Sequence, residues 1–335
     1  MDDGEAMARA AALAREARPR VTPRAWVGAV LVAADGAAHD GVTQPVPGPH
    51  AELAALVAAG EAARGATLYT TLEPCSHTTG RSPGFTTTCA DAVVAAGITR
   101  VVAALEDPDP RVSGRGFDRL RRAGIAVEVG VGADEAAADL APYLKHRRTG
   151  RPFVVLKLAA SLDGRTAAPD GSSHWITGAE ARADAHRLRA LSDAVVVGAG
   201  TVRADDPELT VRHVAGRDPL RVVLGRAPEG AKVHPALELD DAPDAVLDEL
   251  GRRGILQAMV EGGATVHGAL LDAELADRLV AYVAPVVLGP DAQAAFAGGG
   301  PESVTAAPHW RLLSAQPIGE DVRLEYEPAR DSGGR

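Results

Sequence analysis

The chain has 335 residues, and at roughly 100–200 residues per domain that length is most economically two globular domains, each able to bury its own core. A composition of 46% hydrophobic and 24% charged residues excludes disordered, collagenous and fibrous classes, and no run approaches the ~18 apolar residues of a membrane span, so a soluble protein with no membrane partner is expected. The net charge of −10 repels phosphate backbones and 3% aromatic residues leave little for base stacking, which excludes nucleic acid as the main partner and leaves room for a small anion in a locally basic pocket.

The acidic start Met1-Asp2-Asp3-Gly4-Glu5 lacks the basic and apolar regions of a secretory signal, which predicts a cytoplasmic location. Cys75 and Cys89 are the two cysteines. In a reducing compartment a bridge between them is not expected, and a metal or catalytic role is.

In chain order, residues 5–17 read as an Ala-rich helix, 26–33 as a buried strand, 50–64 as a helix and 67–72 as a strand leading into Pro74-Cys75. A helix over 88–96, a strand over 99–104, a helix over 114–123, a strand over 125–129 and a helix over 133–147 complete an α/β layer with helices on both sheet faces. The charged run at 146–152, with Gly150 and Pro152, predicts the boundary, giving domains 1–146 and 151–328. Beyond it come strand 153–160, helix 178–191, strands 193–199 and 220–225, helix 243–253, strand 255–260, helix 264–273 and strand 279–287, a second mixed α/β sheet. Residues 310–327 read as a hairpin and 328–335 as a disordered tail.

His50-Ala51-Glu52 stands at a helix start, Pro74-Cys75 follows a strand, and Cys89 begins the next helix. One imidazole and two thiolates supply the three protein ligands of a catalytic zinc site, which keeps a fourth position for water. The helix dipole at Cys89 favours the thiolate form. Glu52, two residues past His50, is placed to take a proton from water and hand it to a leaving amine, the chemistry of hydrolytic deamination. Taken singly, each part also reads as ordinary structure: a capping histidine and two small buried thiols. The order His-x-Glu, Pro-Cys, Cys favours the metal, although 13 residues, 76–88, separate the cysteines where the general zinc-deaminase signature has two.

The sequence resembles the bifunctional deaminase-reductases of riboflavin biosynthesis over nearly its whole length. The first half carries Gly48-Pro49-His50-Ala51-Glu52, Thr71-Leu72-Glu73-Pro74-Cys75-Ser76-His77 and the run from Asp107 to Gly116. The second carries Leu156-Lys157-Leu158, Ser161-Leu162-Asp163-Gly164-Arg165, Trp175-Ile176-Thr177, Thr201-Val202-Arg203-Ala204-Asp205-Asp206-Pro207 and Glu261-Gly262-Gly263. The resemblance implies a cytidine-deaminase-like fold followed by a dihydrofolate-reductase-like fold, zinc and NADPH as cofactors, a phosphorylated aminopyrimidine as substrate, and a homo-oligomer. It also implies zinc ligation by His50, Cys75 and Cys89, catalysis by Glu52, and substrate contacts at His77 and Arg81.

In the second half, a strand running through Glu261-Gly262-Gly263 into a helix can hold phosphate on bare backbone amides, though such a turn is commonly only structural. By resemblance, Gly263, Ala264, Thr265, Val266, His267, Gly268 and Ala269 carry the cofactor pyrophosphate, Ala159 packs against the cofactor, and Trp175, Thr201 and Asp205 contact it. Ser173, Arg189, Leu209 and Arg212 match substrate binders, guanidinium forks suiting a phosphate monoester, and Glu261 lines the pocket. Lys157, on an otherwise apolar strand, is a cation placed to meet the ring-opened sugar, unless it snorkels to the strand edge. Arg187 reads as a solvated helix residue.

Four features depart from the family pattern: the longer loop between the cysteines, Arg24-Ala25 where Asn-Pro is usual, Thr43 where some members have histidine, and a short segment 226–242 ending in Glu238, Asp240 and Asp241. The last is expected to trim the pocket for the cofactor's adenosine half. The altered rim leaves two alternatives to the riboflavin enzyme, a deaminase-reductase of specialised metabolism acting on a related aminopyrimidine and a non-catalytic partner protein. The intact His50, Glu52 and Cys75 speak against the latter.

Overall fold

The protein is described here by a computed structural model covering residues 1–77, 87–173 and 176–329. Arg81, Trp175, most of the loop 76–88 and residues 330–335 of the tail lie outside the described residues. The chain divides into two compact units, Met1–Thr149 and Gly150–Arg335.

The first unit opens with α1 (Asp3–Val21), longer at both ends than its apolar pattern predicts. A capping box starts it: the Glu5 N–H donates to Asp2 Oδ1 (2.8 Å) and the Asp2 N–H to Glu5 Oε2 (3.0 Å). There follow β1 (Gly28–Val32), β2 (Ala38–Val42), α2 (Ala51–Ala59), β3 (Thr67–Thr70), α3 (Cys89–Ala95), β4 (Arg100–Ala103), α4 (Arg115–Arg122), β5 (Ala126–Val129), α5 (Ala133–Asp139) and α6 (Ala141–Thr149). The helix expected over 133–147 is two, broken at Leu140, with Pro142 tolerated in the first turn of α6.

Among the described residues the sheet runs β2-β1-β3-β4-β5, with β1 antiparallel to both neighbours and β3, β4 and β5 parallel. Val30, Tyr69 and Val102 are register partners on one face and pack on Ala6, Met7 and Ala10 of α1. Gly41, paired with Ala29, points to the opposite face. A Cβ there would lie 2.1 Å from the Ala51 carbonyl oxygen, so α2 packs directly on bare backbone and helices cover both faces.

The second unit comprises β6 (Phe153–Ser161), β7 (Arg165–Ala167), α7 (Ala179–Ala190), β8 (Ala194–Gly198), α8 (Ala199–Asp205), β9 (Leu220–Leu224), β10 (Leu237–Leu239), α9 (Pro243–Arg252), β11 (Gln257–Gly262), α10 (Ala264–Asp272), β12 (Arg278–Ala284), β13 (Gln293–Ala294), β14 (Trp310–Ile318) and β15 (Asp321–Pro328). Its large sheet has the order β10-β9-β8-β11-β6-β12-β15-β14, parallel through β12 and antiparallel beyond. Val154, Leu156, Val196, Val222 and Val260 face Val246, Leu250 and Leu270 of α9 and α10. The alternate residues face the other way, Val195, Val197 and Val223 onto Val202 of α8, and Val155 onto Ala181 and Ala185 of α7. Burial on both faces explains why these strands read as unbroken apolar runs.

Two expectations need correction. Asp205 is not in a turn after a strand but is the last residue of α8, a short helix with no legible periodicity. The strand read as 255–260 runs on to Gly262, so Glu261 lies in the sheet beside β6 and β8 rather than in the turn.

Candidate active sites

In the first unit, His50 is the N-cap of α2, but only through its backbone: its carbonyl takes the Ala54 N–H (3.0 Å), and the imidazole makes no capping bond. Its Nδ1 lies 3.6 Å from Cys75 Sγ and 3.4 Å from Cys89 Sγ, and the three donor atoms lie within 4.8 Å of one another. Tetrahedral zinc, with bonds of about 2.1 Å to nitrogen and 2.3 Å to sulfur, sets such donors about 3.5 Å apart. The donor set and its spacing fit the metal, and the reading of His50 as a side-chain cap is set aside.

Local structure fixes each member of the cluster. Cys75 follows β3 through Pro74, and its carbonyl accepts the Ala90 N–H (3.1 Å), which ties it to the start of α3. Cys89 is the first residue of α3, behind the N-cap Thr88, whose Oγ1 accepts the Asp91 N–H (3.0 Å). The hydrogen bond from Cys89 and the contact with His50 hold the Cys75 thiol down to about 4 against the effect of burial. Glu52, in the first turn of α2, is 3% exposed. Burial pushes its carboxyl up to about 7, with His50 opposing, and no cation pairs with it among the described residues.

These groups line a cleft of about 180 Å³ that also takes in His77, Arg24 and Thr43. The His77 Nδ1 is buried and has no hydrogen-bond partner among the described residues. Arg24 Nη1 donates to the carbonyls of Gln44 (2.7 Å) and Gly48 (3.1 Å), and Thr43 Oγ1 accepts the Val27 N–H (3.2 Å). The far wall is Asp107, Asp109 and Arg111, to which the sequence reading assigned no role although it quoted their run. Glu73, also unassigned, holds that loop. Its carboxylate accepts the N–H groups of Asp107, Gly114, Gly116 and Phe117 at 2.8–3.3 Å. Three acidic or basic side chains in a loop beside prolines were the available signal, since loops carried by a rigid scaffold are where function concentrates.

The second unit has a cleft of about 760 Å³ at the carboxyl ends of its parallel strands, where ligands of open α/β sheets bind. Lys157 and Ala159 reach it from β6, Thr201 and Asp205 from α8, Glu261 from β11, and Gly263, Ala264 and His267 from the turn into α10. Ser173 and Arg212 complete the rim, with Ser173 Oγ donating to Asp205 Oδ1 (3.2 Å). Gly263, the N-cap of α10, has no side chain to occupy the first-turn amides. Burial lowers the Lys157 ammonium's pKa while Glu261 opposes, so Lys157 does not snorkel away from the site.

Several expected members stand elsewhere. Thr265 and Ala269 are on the exposed side of α10, Val266 packs on the core, and Gly268 meets the Ala297 backbone, where a Cβ would lie 1.6 Å from the carbonyl oxygen. Leu209 is 3% exposed and sits in the core with Val197 and Val202. Arg189 does not line the cleft. Its guanidinium is committed to Glu261 (2.7 and 2.9 Å) and to the Thr210 carbonyl (2.5 Å). Glu238 pairs with Arg226 (3.1 Å), and neither it nor Asp240 nor Asp241 lines either cleft, so the expected trimming of the pocket is not seen. Arg187 is a solvated helix residue, 62% exposed.

Two family models match the chain in tandem: the cytidine and deoxycytidylate deaminase zinc-binding region over residues 1–105 and the RibD C-terminal domain over residues 152–324. The riboflavin biosynthesis protein RibD of Escherichia coli is 40% identical, covering 97% of this chain and 99% of that protein, and the RibD of Mycobacterium tuberculosis is 40% identical, covering 96% of each. Among solved structures, Acinetobacter baumannii RibD superposes with a TM-score of 0.90 at 38% identity over 98% of this chain and 99% of that one. The diaminohydroxyphosphoribosylaminopyrimidine deaminase/5-amino-6-(5-phosphoribosylamino)uracil reductase of Thermotoga maritima superposes with a TM-score of 0.87 at 32% identity, covering 97% and 98%. The chain thus belongs to the RibD family of riboflavin biosynthesis proteins, with a cytidine-deaminase-like first half and a RibD reductase-type second half.

Proposed function

We propose that this chain is a bifunctional riboflavin-biosynthesis enzyme. Residues 1–146 deaminate 2,5-diamino-6-ribosylamino-4(3H)-pyrimidinone 5′-phosphate, and residues 151–328 then reduce the ribosyl group to ribityl with NADPH. The observation that carries this reading is the His50, Cys75 and Cys89 triangle with Glu52 buried beside it, in a chain that relatives of both activities match end to end.

His50, Cys75 and Cys89 hold zinc, which supplies the Lewis acidity that makes a water nucleophilic near neutral pH. Glu52 does the proton work. With its carboxyl held near 7, a carboxylate oxygen takes the water's proton and gives it to the departing amine; the C–N bond breaks, C–O forms, and ammonia leaves. His77, and Arg81 beyond the described residues, meet the substrate.

In the second cleft NADPH supplies a hydride to the sugar carbon. The amides at Gly263 and Ala264, with Thr201, Asp205, Ala159 and Trp175, hold the cofactor. Ser173 and Arg212 take the substrate phosphate, and the Lys157 ammonium faces the sugar oxygen that gains a proton as its bond to carbon breaks. A homo-oligomer and a cytoplasmic, reducing location suit this reading, since free thiols are needed as ligands.

Arg24 and Thr43 on the cleft wall favour a second reading, a related aminopyrimidine as substrate. One assay separates the two. The purified chain should carry about one zinc. Given the diaminopyrimidinone phosphate, it should release ammonia and then oxidise NADPH. Ammonia without NADPH oxidation refutes the bifunctional reading, and bound zinc with neither signal transfers the assignment to the related aminopyrimidine.

A further inference from the structure

Arg189 leaves the last turn of α7 with its side chain 9% exposed. Its Nε and Nη2 donate to the two oxygens of Glu261 (2.7 and 2.9 Å), and Nη1 donates to the Thr210 carbonyl (2.5 Å). The turn that presents that carbonyl is itself fixed: Leu209 adopts φ +56° and drops its side chain into the core. Every arm of the guanidinium is therefore spent on protein groups. Arg212 (47% exposed) and Lys232 (60% exposed), by contrast, line a recess of about 330 Å³ beside Ser173, where an incoming anion can be met.

We propose that Arg189 is a positioning residue of the reductase: it fixes the Glu261 carboxylate on the cleft wall beside Lys157 and does not contact the substrate phosphate. The inference rests on the reductase reading above. Glu261 is on β11 and Lys157 on the adjacent β6, and both face the cleft. A bidentate fork saturates both carboxylate oxygens, which a lysine at the same place cannot do. Burial alone would favour the neutral carboxyl, and Arg189 with Lys157 holds it in the charged form. Without the fork, Glu261 is free to turn onto Lys157 and withdraw that ammonium from the substrate. The loss then falls on turnover, whereas loss of a phosphate contact falls on binding of phosphorylated substrates alone.

The test is steady-state NADPH oxidation with the phosphorylated ribosylaminopyrimidine and with the same compound lacking the phosphate. Arg189→Lys should lower kcat about 10–100-fold, leave KM within about threefold, and do so equally for both substrates. Because loss of a buried partner can unfold the unit, the pair Arg189→Met and Glu261→Gln is combined: in the Glu261→Gln background, Arg189→Met should cost less than about threefold further. A KM raised about tenfold or more for the phosphorylated substrate only, or an Arg189→Met effect as large with Glu261→Gln as without it, overturns the inference. A wild-type chain that releases ammonia but oxidises no NADPH refutes the reductase reading itself.

Discussion

Each unit aims a buried glutamate into its cleft, and the two are treated in opposite ways. Glu52 has no cation partner among the described residues, and burial lifts its carboxyl to about 7, where it can gain and lose a proton near neutrality. Glu261 is as deeply placed, but the Arg189 fork holds it below its ordinary range, so it keeps its charge. The same side chain is a proton carrier where burial dominates and a fixed anion where a bidentate cation dominates. The environment supplied by neighbouring elements decides which.

The sharpest way to break this contrast is Glu52→Gln. Removing a general acid–base group should cost about 10²–10⁴-fold in ammonia release, with zinc content and NADPH oxidation retained. Loss of zinc in that variant would make Glu52 a metal-site support instead. Cys89→Ser should lower zinc retention at least about tenfold, and ammonia release with it, while NADPH oxidation by the other unit persists. Metal analysis beside the two assays reads both outcomes.

The asymmetry between the sites also governs how much of each was legible. Zinc draws on few residue types, so His50, Cys75 and Cys89 could be picked out of the sequence despite 13 intervening residues. The buried parallel strands were legible as apolar runs. Strand β2 was not, because its edge sequence Ala38-His39-Asp40-Gly41-Val42 is polar and needs Gly41 for helix contact rather than for strand formation. The second cleft was legible only by resemblance. Arg189 and Leu209 have side chains suited to ligand contact, and what removes them from the cleft is a salt bridge across 72 residues and a single left-handed backbone turn. Such partners are set by tertiary packing, which a local pattern does not encode.

Asp107 extends the Glu52 condition to a residue of the cleft wall. Burial raises its carboxyl from 3.8 to about 6, although Tyr143 Oη and the Asp109 N–H donate to it. The folded state therefore holds the proton more tightly than the unfolded chain. This contribution to stability is full below about pH 4 and is lost as pH rises through 6, a swing of up to about 3 kcal/mol. Asp107→Asn keeps an acceptor for both donors and removes the charge. Urea melts from pH 4 to 7 should show the variant gaining on wild type as pH rises. A difference that stays flat across that range would mean that the hydrogen bonds outweigh burial and that Asp107 resembles Glu261 instead.

The smallest expected effect concerns how the metal cluster is held. Thr88 caps α3 immediately before Cys89, accepting the Asp91 N–H at 3.0 Å and donating to Asp91 Oδ2 at 2.7 Å. Thr88→Ala should cost about 1 kcal/mol, a fall of roughly 3 °C in Tm for a unit of this size. If the cap also fixes Cys89, the first turn of α3 frays and zinc should pass to a chelator a few-fold faster, about threefold for that energy falling partly on the metal site. Ser303→Ala removes a comparable cap in the other unit, where Ser303 Oγ accepts the Ala306 N–H at 3.3 Å, and should leave the rate of zinc loss unchanged. Equal rates for the two variants would show that the Cys75 carbonyl bond to Ala90, and not the helix cap, is what keeps Cys89 facing His50.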